Sequence, residues 1–328
     1  MKAIVYRRYG SPDVLRYEEV DRPTAGDDEV LIRVRAASLN PLDWHFMRGT
    51  PYFLRMLAGL RKPKDTRLGV DVAGQVEAVG RNVTQFKPGD DVFGSCRGAF
   101  AEYACTSESA LVVKPNTVTF EQAAAVSVAA RTALQALRDK GRIQPGQRVL
   151  INGAAGGVGT FAVQIAKSFG ADVTGVCSTR NVEMVRSIGA DQVFDYTQED
   201  FTKSGQRYDL ILDCAGNHSL SACRRALTPK GIYVGVGGPS GPWMIGPLAS
   251  AITASVLSRF MRQKMLMVLT RPSKEDLTML AELIEARKVT PVIDRRYSLS
   301  EVPEAIRYLE QGHARGKVVI TLGDTTKT

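Results

Sequence analysis

Apolar and polar positions along the chain fall into two textures. Lys2 to Tyr6 and Val30 to Ala36 combine β-branched content with two-residue alternation, the pattern of half-buried strands, and Arg22-Pro23 and Gly26-Asp27-Asp28 supply turns between them. Pro41 is expected to end regular structure after Asn40, with Asp43 to Gly49 as a short helix. Leu54 to Leu60 is apolar apart from Arg55, and the basic run Arg61 to Lys64 follows it. Val70 to Val79 predicts a further strand pair, closed by Lys87-Pro88-Gly89-Asp90-Asp91 before Val92-Phe93-Gly94. Short strands at this spacing predict a β-rich domain up to about residue 120.

From Glu121 the pattern changes. Glu121 to Ser127 and Arg131 to Leu137 read as helical. Strand-like and helical segments then alternate: Val149 to Ile151, a helix from Gly159, Val173 to Val176, Val182 to Ile188, Gln192 to Asp195, Leu210 to Asp213, Ser219 to Leu227 and Ile232 to Val236. Such alternation predicts a doubly wound parallel sheet, so the fold class is α/β. A tail with an amphipathic helix (Lys274 to Arg287), Val292-Ile293, a helix (Pro303 to Glu310) and a strand (Lys317 to Leu322) is expected to rejoin the first domain and leave a cleft. The expected domains are therefore 1–123 completed by 273–328, and 124–272. Leu248 to Met267 is apolar but broken by Arg259, Arg262 and Lys264; it reads as a helix shaping the cleft or making a dimer contact, with a membrane-surface helix as the alternative.

The stretch Val149 to Lys167 holds the first chemical signal. An apolar run enters the turn Gly153-Ala154-Ala155-Gly156-Gly157-Val158-Gly159, and a helical pattern leaves it. Glycine reaches positive φ cheaply and lets a pyrophosphate approach the backbone, while the helix start offers unpaired N–H groups to the phosphates. The next strand, Asp172 to Val176, arrives at the distance of a strand–helix–strand unit. It runs out into Cys177-Ser178-Thr179-Arg180-Asn181, without the acid that binds a ribose 2′-hydroxyl in NAD sites. Ser178 and Arg180 suit a 2′-phosphate, which favours NADPH; the alternative for Arg180 is a solvated helix-start residue.

Composition narrows the class further. The 328 residues, 44% hydrophobic and 23% charged, are those of a globular chain with room for two domains. The net charge of +9 lies in short clusters without interleaved aromatics, so no nucleic-acid partner is expected. Five scattered cysteines (Cys96, Cys105, Cys177, Cys214, Cys223) without a C-x-x-C pair suggest reduced thiols. No leader and no apolar run of about 18 residues is read, so the cytoplasm is expected and membrane contact is not.

Asn40-Pro41-Leu42-Asp43, Gly69-Val70-Asp71-Val72-Ala73-Gly74, Lys87-Pro88-Gly89-Asp90-Asp91-Val92, the glycine turn and Gly189-Ala190-Asp191 occur in the order that resembles the medium-chain dehydrogenase/reductase superfamily. Within it the chain is similar to the zinc-independent quinone oxidoreductase branch. The resemblance implies a GroES-like catalytic domain joined to a Rossmann domain, usually in dimers or tetramers, and a homodimer is expected here. It also places Tyr196 beside the adenine, while Gly237 and Gly238 would let the nicotinamide end approach. Zinc-dependent members carry Cys, His and Glu ligands where this chain has Asn40 to Asp43, Gly69 to Asp71 and Ser127 to Thr132. Thiolate and imidazole are missing there, so no metal is expected.

Without a Lewis acid, a quinone or an α,β-unsaturated carbonyl is the easier hydride acceptor, because the charge spreads onto a remote oxygen. A hydrogen-bond donor to that oxygen is worth about 3–4 kcal/mol. Asn40 and Tyr52 are the candidates, with Tyr52 also able to return a proton; the alternatives are that Asn40 caps a turn and Tyr52 only packs. Asp43 and His45 are candidates for a polar relay, and Lys317 for an assisting cation. The rival functions are an enoyl-thioester reductase, and a cofactor-binding protein with vestigial catalysis that meets a partner through Trp243 to Met267.

Overall fold

The structure, a computed structural model, describes residues 1–236 and 262–323. The chain divides into two units: Met1–Val128 with Pro272–Arg287 and Pro291–Thr328, and Ala129–Arg271 with Lys288–Thr290. Gly237, Gly238 and the stretch 248–261 lie outside the described residues.

The first unit begins with strands β1 (Lys2–Val5), β2 (Arg16–Glu19) and β3 (Glu29–Ser38), followed by helices α1 (Pro41–Arg48) and α2 (Leu54–Ala58). Strands β4 (Asp71–Val79), β5 (Asp91–Ser95), β6 (Tyr103–Ser107) and β7 (Leu111–Val113) come next, and α3 (Phe120–Ala124) closes this portion. Thr119 starts α3 with a capping box: its hydroxyl accepts the Gln122 N–H and the Gln122 side chain accepts the Thr119 N–H.

Helix α4 (Ser127–Gln135) starts in the last residues of the first unit's leading portion, and the second unit continues with β8 (Arg148–Asn152), α5 (Gly157–Ser168), β9 (Asp172–Cys177), α6 (Val182–Ser187), β10 (Gln192–Asp195), β11 (Tyr208–Asp213), α7 (Leu220–Arg225), β12 (Leu227–Val236) and β13 (Lys264–Val268). Its six described strands run in the order β10-β9-β8-β11-β12-β13, and every pairing among them is parallel. Strand order therefore reverses between β8 and β11. In such sheets ligands bind beyond the carboxyl ends of the strands at that switch point.

The tail supplies α8 (Lys274–Glu285), β14 (Ile293–Ser298), α9 (Val302–Glu310) and β15 (Lys317–Thr321) to the first unit. β15 is an inner strand of that unit's sheet, parallel to β14 and antiparallel to β3, with Val319 opposite Ser38. Its Val318 and Ile320 join Val30, Ile32, Val34 and Phe100 in one buried cluster. The tail thus completes a core begun near the start of the chain.

Four expectations change. Pro41 does not end structure; it is the first residue of α1, where its fixed φ suits a helix and its missing N–H costs nothing. Val70 to Val79 is not a strand pair but the single strand β4, because Gly74 is a close approach and not a turn: an added Cβ would stand 2.2 Å from the Arg33 carbonyl oxygen. The end of the segment read as a helix, Lys264 to Met267, belongs to β13, which hydrogen-bonds to β12 as the sixth strand. The helix after the glycine turn also starts at Gly157, two residues earlier than Gly159.

Candidate functional site

In the second unit the chain leaves β8 at Asn152 and turns at Gly153, whose φ of +83° is a conformation that side chains disfavour. The N–H groups of Gly153 and Ala154 both donate to the Val176 carbonyl, at 3.1 and 3.0 Å, and sew the turn to β9. A Cβ on Gly159 would lie 2.1 Å from the Gly153 carbonyl oxygen, so α5 packs directly on the turn. A Cβ on Gly156 would meet only the Gly153 carbonyl oxygen, at 3.5 Å, which leaves room before the helix. The first N–H groups of α5, on Gly157, Val158 and Gly159, have no acceptor within the helix, and a helix start of this kind favours an anion. The residues present therefore fit a dinucleotide pyrophosphate.

Ser178 follows β9 half-buried, and Thr179–Asn181 forms a single 3-10 turn that leaves Arg180 exposed. The buried Asn181 side chain donates to Ser178 Oγ at 3.1 Å. That bond fills one lone pair of the serine and directs its own proton elsewhere. The Tyr196 N–H donates to the Cys177 carbonyl at 3.0 Å, and the Thr179 and Thr197 hydroxyls are 2.9 Å apart. The structure thus brings Ser178, the Arg180 turn and the half-exposed Tyr196 to the ends of two adjacent strands. Between them, hydrogen bonds from Thr179 foremost, then Thr197 and Gln198, hold the Asp195 carboxyl below the usual carboxylate range.

One polar group in this unit escaped the sequence analysis. Asp213, at the end of β11, is buried and accepts hydrogen bonds from the Asn152 amide (2.9 Å), the Tyr233 hydroxyl (2.8 Å) and the N–H groups of Ala215 (3.0 Å) and Gly216 (2.8 Å). It ties the ends of β8, β11 and β12 together at the switch point. A polar residue closing an apolar strand was the only local sign of it.

In the first unit the polar candidates converge on Asp71. Its Oδ2 accepts from the Ser38 hydroxyl and the Asn40 amide, both at 2.9 Å, and lies 3.4 Å from Lys317 Nζ; its Oδ1 accepts the Val128 N–H at 3.0 Å. Lys317 also donates to Asn40 Oδ1 at 2.7 Å and to the Leu39 carbonyl at 3.0 Å. Asp71 and Lys317 are 0% and 3% exposed. Burial pulls the lysine pKa down, and the Asp71 and Asp43 carboxylates oppose that. Asn40 is also buried, and as placed it donates to Asp71 and points more loosely at the Ser38 carbonyl, 3.5 Å away. Donation to an acceptor requires one of these hydrogens to turn away.

Tyr52 differs in setting: it is 42% exposed, with the Arg55 guanidinium 4.9 Å from its ring centre. Asp43 and His45 find separate partners and form no relay. Asp43 accepts the Asn40 N–H at 2.7 Å, while His45 Nδ1 pairs with the Thr50 carbonyl at 2.7 Å. Burial raises the Asp43 pKa to about 7; the Asn40 and Gly69 N–H groups and Lys317 oppose the rise and the Asp71 charge adds to it. Among the described residues, no three His, Cys, Asp or Glu side chains are grouped to hold a metal. At the positions compared with zinc ligands stand an amide, a carboxylate and a serine, Ser127, whose hydroxyl is 2.6 Å from that of Ser95.

Two family models match the chain: an alcohol dehydrogenase GroES-like domain over residues 26–116 and a zinc-binding dehydrogenase over residues 188–320. A mitochondrial NAD(P)H oxidoreductase (RTN4IP1) from Bos taurus is 35% identical over 365 residues, covering 98% of this chain and 89% of its own. A 2-methylene-furan-3-one reductase from Solanum lycopersicum is 36% identical over 338 residues, covering 98% and 79%. The quinone oxidoreductase structure from Coxiella burnetii superposes with a TM-score of 0.86 at 30% identity, covering 98% and 99%.

Proposed function

Because the chain belongs to the medium-chain dehydrogenase/reductase superfamily, alongside its quinone oxidoreductases, and is on that ground an oxidoreductase, we propose that it reduces a quinone or an α,β-unsaturated carbonyl with NADPH and without zinc. The observation that carries this reading is the glycine turn entering α5 beside a β9 that is followed by Ser178, Thr179 and Arg180 and not by a carboxylate. NADPH, when bound, supplies the hydride. Gly153, Ala155, Gly156, Gly157, Val158 and Gly159 hold its pyrophosphate, Ser178 and Arg180 its 2′-phosphate, and Tyr196 borders its adenine. Gly237 and Gly238 keep the nicotinamide role read from the sequence.

For the acceptor, Tyr52 is the first candidate to donate a hydrogen bond to the oxygen that gains charge and to return a proton. Asn40 is the second, through a turn of its amide away from Asp71. The zinc-free part of the reading is supported by the donor set: the buried Lys317 ammonium lies 3.4 Å from the Asp71 carboxylate, and among the described residues no three His, Cys, Asp or Glu side chains are grouped to hold a metal. The reading also takes the chain to be a cytoplasmic homodimer. Among the described residues no helix is long and apolar enough to cross a membrane. Cell fractionation and light scattering check these two points.

The deciding experiment is oxidation of NADPH and of NADH by metal-stripped protein against small quinones, enones and crotonyl thioesters. Turnover with NADPH and a quinone or enone is the expected result. Turnover only after Zn²⁺ is restored overturns the mechanism, and preference for the thioester moves the chain to enoyl-thioester reduction.

A further inference from the structure

We propose that the loop from Tyr52 to Lys64 docks on the face of an anionic lipid bilayer. Phe53, Met56, Leu57 and Leu60 are 54%, 73%, 75% and 72% exposed, an unusual concentration of large apolar side chains on α2 and the residues that flank it. The loop is tied down from within. The Tyr9 hydroxyl donates to the Gly59 carbonyl at 2.6 Å, Arg55 Nε to the Gly49 carbonyl at 3.0 Å and the Lys64 N–H to the Ala58 carbonyl at 2.7 Å. Gly59, at φ +122°, makes the sharp turn, where an added Cβ would stand 2.1 Å from the Lys62 carbonyl oxygen. These bonds fix the backbone that carries the exposed apolar side chains.

Charge identifies the occupant. Arg61, Lys62 and Lys64 are exposed directly after the apolar residues, and the nearby acid, Asp65, is engaged by the Arg67 N–H at 3.0 Å. Apolar side chains flanked by cations are the composition that inserts shallowly beneath anionic headgroups. The net charge of +9 draws the chain to the same surface. A protein partner fits less well, since a stable interface takes about 20–30 residues a side, far more than this loop presents. This loop is neither a spanning segment nor part of the Trp243 region. Docking would bring the loop that carries Tyr52 to the medium in which lipophilic acceptors dissolve.

The test is co-sedimentation of the full chain with vesicles of phosphatidylcholine alone and with added phosphatidylglycerol, at low and high salt. Binding is expected only with phosphatidylglycerol and weakens with salt as the headgroup charge is screened. The pairs Leu57→Ser with Leu60→Ser, and Lys62→Glu with Lys64→Glu, should each cut binding by more than about tenfold at unchanged melting temperature. The proposal fails if neither vesicle binds or if binding ignores these substitutions. It also fails if the serine pair converts a larger species to a smaller one on gel filtration without lipid, which would give the loop to a second copy of the chain. A rise in KM for a water-soluble acceptor in the serine pair, without loss of vesicle binding, would give the loop to the acceptor site.

Discussion

Asp43 is buried with a pKa near 7, well above the unfolded value of about 4. Between those two values the folded chain keeps a proton that the unfolded chain has released. The resulting stability is fully present below the unfolded pKa and is lost as pH rises through about 7. Asp43→Asn does not titrate, so the stability of the native chain relative to this variant should fall from pH 5 to pH 8 in urea unfolding; a constant difference would mean that the carboxyl titrates normally. At the cofactor end, Arg180→Glu should raise the KM for NADPH by about ten- to a hundredfold, since a charge-assisted hydrogen bond is worth about 1.5–3 kcal/mol, and leave that for NADH nearly unchanged. Equal effects on both would remove the 2′-phosphate from this arginine. That Ser178 and Arg180 directly follow β9 was legible because the strand that delivers them is local in sequence. The Lys317–Asn40 bond, across 277 residues, was not: no periodicity marks a lysine whose partner is set by sheet order.

At the scale of elements, close backbone approach accounts for both the successes and the errors. The glycine turn was legible because its residues adjoin one another, and its tightness is now explained by the Gly159 contact with the Gly153 carbonyl. Gly159→Ala should destabilise the second unit by about 1–3 kcal/mol and weaken NADPH binding, read as a lower melting temperature and a weaker nucleotide fluorescence titration. An unchanged melting temperature would show that the turn can shift without cost. Gly74 produces a similar contact inside β4, yet sequence alone does not distinguish a glycine that bends a chain from one that lets a neighbouring strand come near. β13 was misread for a related reason: Lys264 to Val268 is too short for periodicity to separate a strand from the end of a helix, and only its pairing with β12 decides.

At the scale of the molecule, the chain's return to its first unit is fastened by a buried ion pair. Removing one partner of such a pair leaves an unpaired charge and typically costs about 3–5 kcal/mol. Lys317→Met and Asp71→Asn are each expected to destabilise, Lys317→Met by that amount, while the double variant should lose less than the sum. Strict additivity in urea unfolding would mean that the two groups do not feel each other. The two textures of the chain were visible in the sequence, but the position of β15 within the first sheet was not, because the antiparallel partner of a strand is chosen by packing and not by distance along the chain.

That position also imposes an order on synthesis. β3 leaves the ribosome early, but its neighbour β15 is made almost 300 residues later, on the order of half a minute at about 5–20 residues per second. The second unit is nearly continuous in sequence, and its last described strand, β13, ends at Val268, about 50 residues and so several seconds before β15 begins. During those last seconds the nascent chain carries the described strands of the second unit together with a first-unit sheet whose inner edge is still open, the species in which a chaperone would find its binding site.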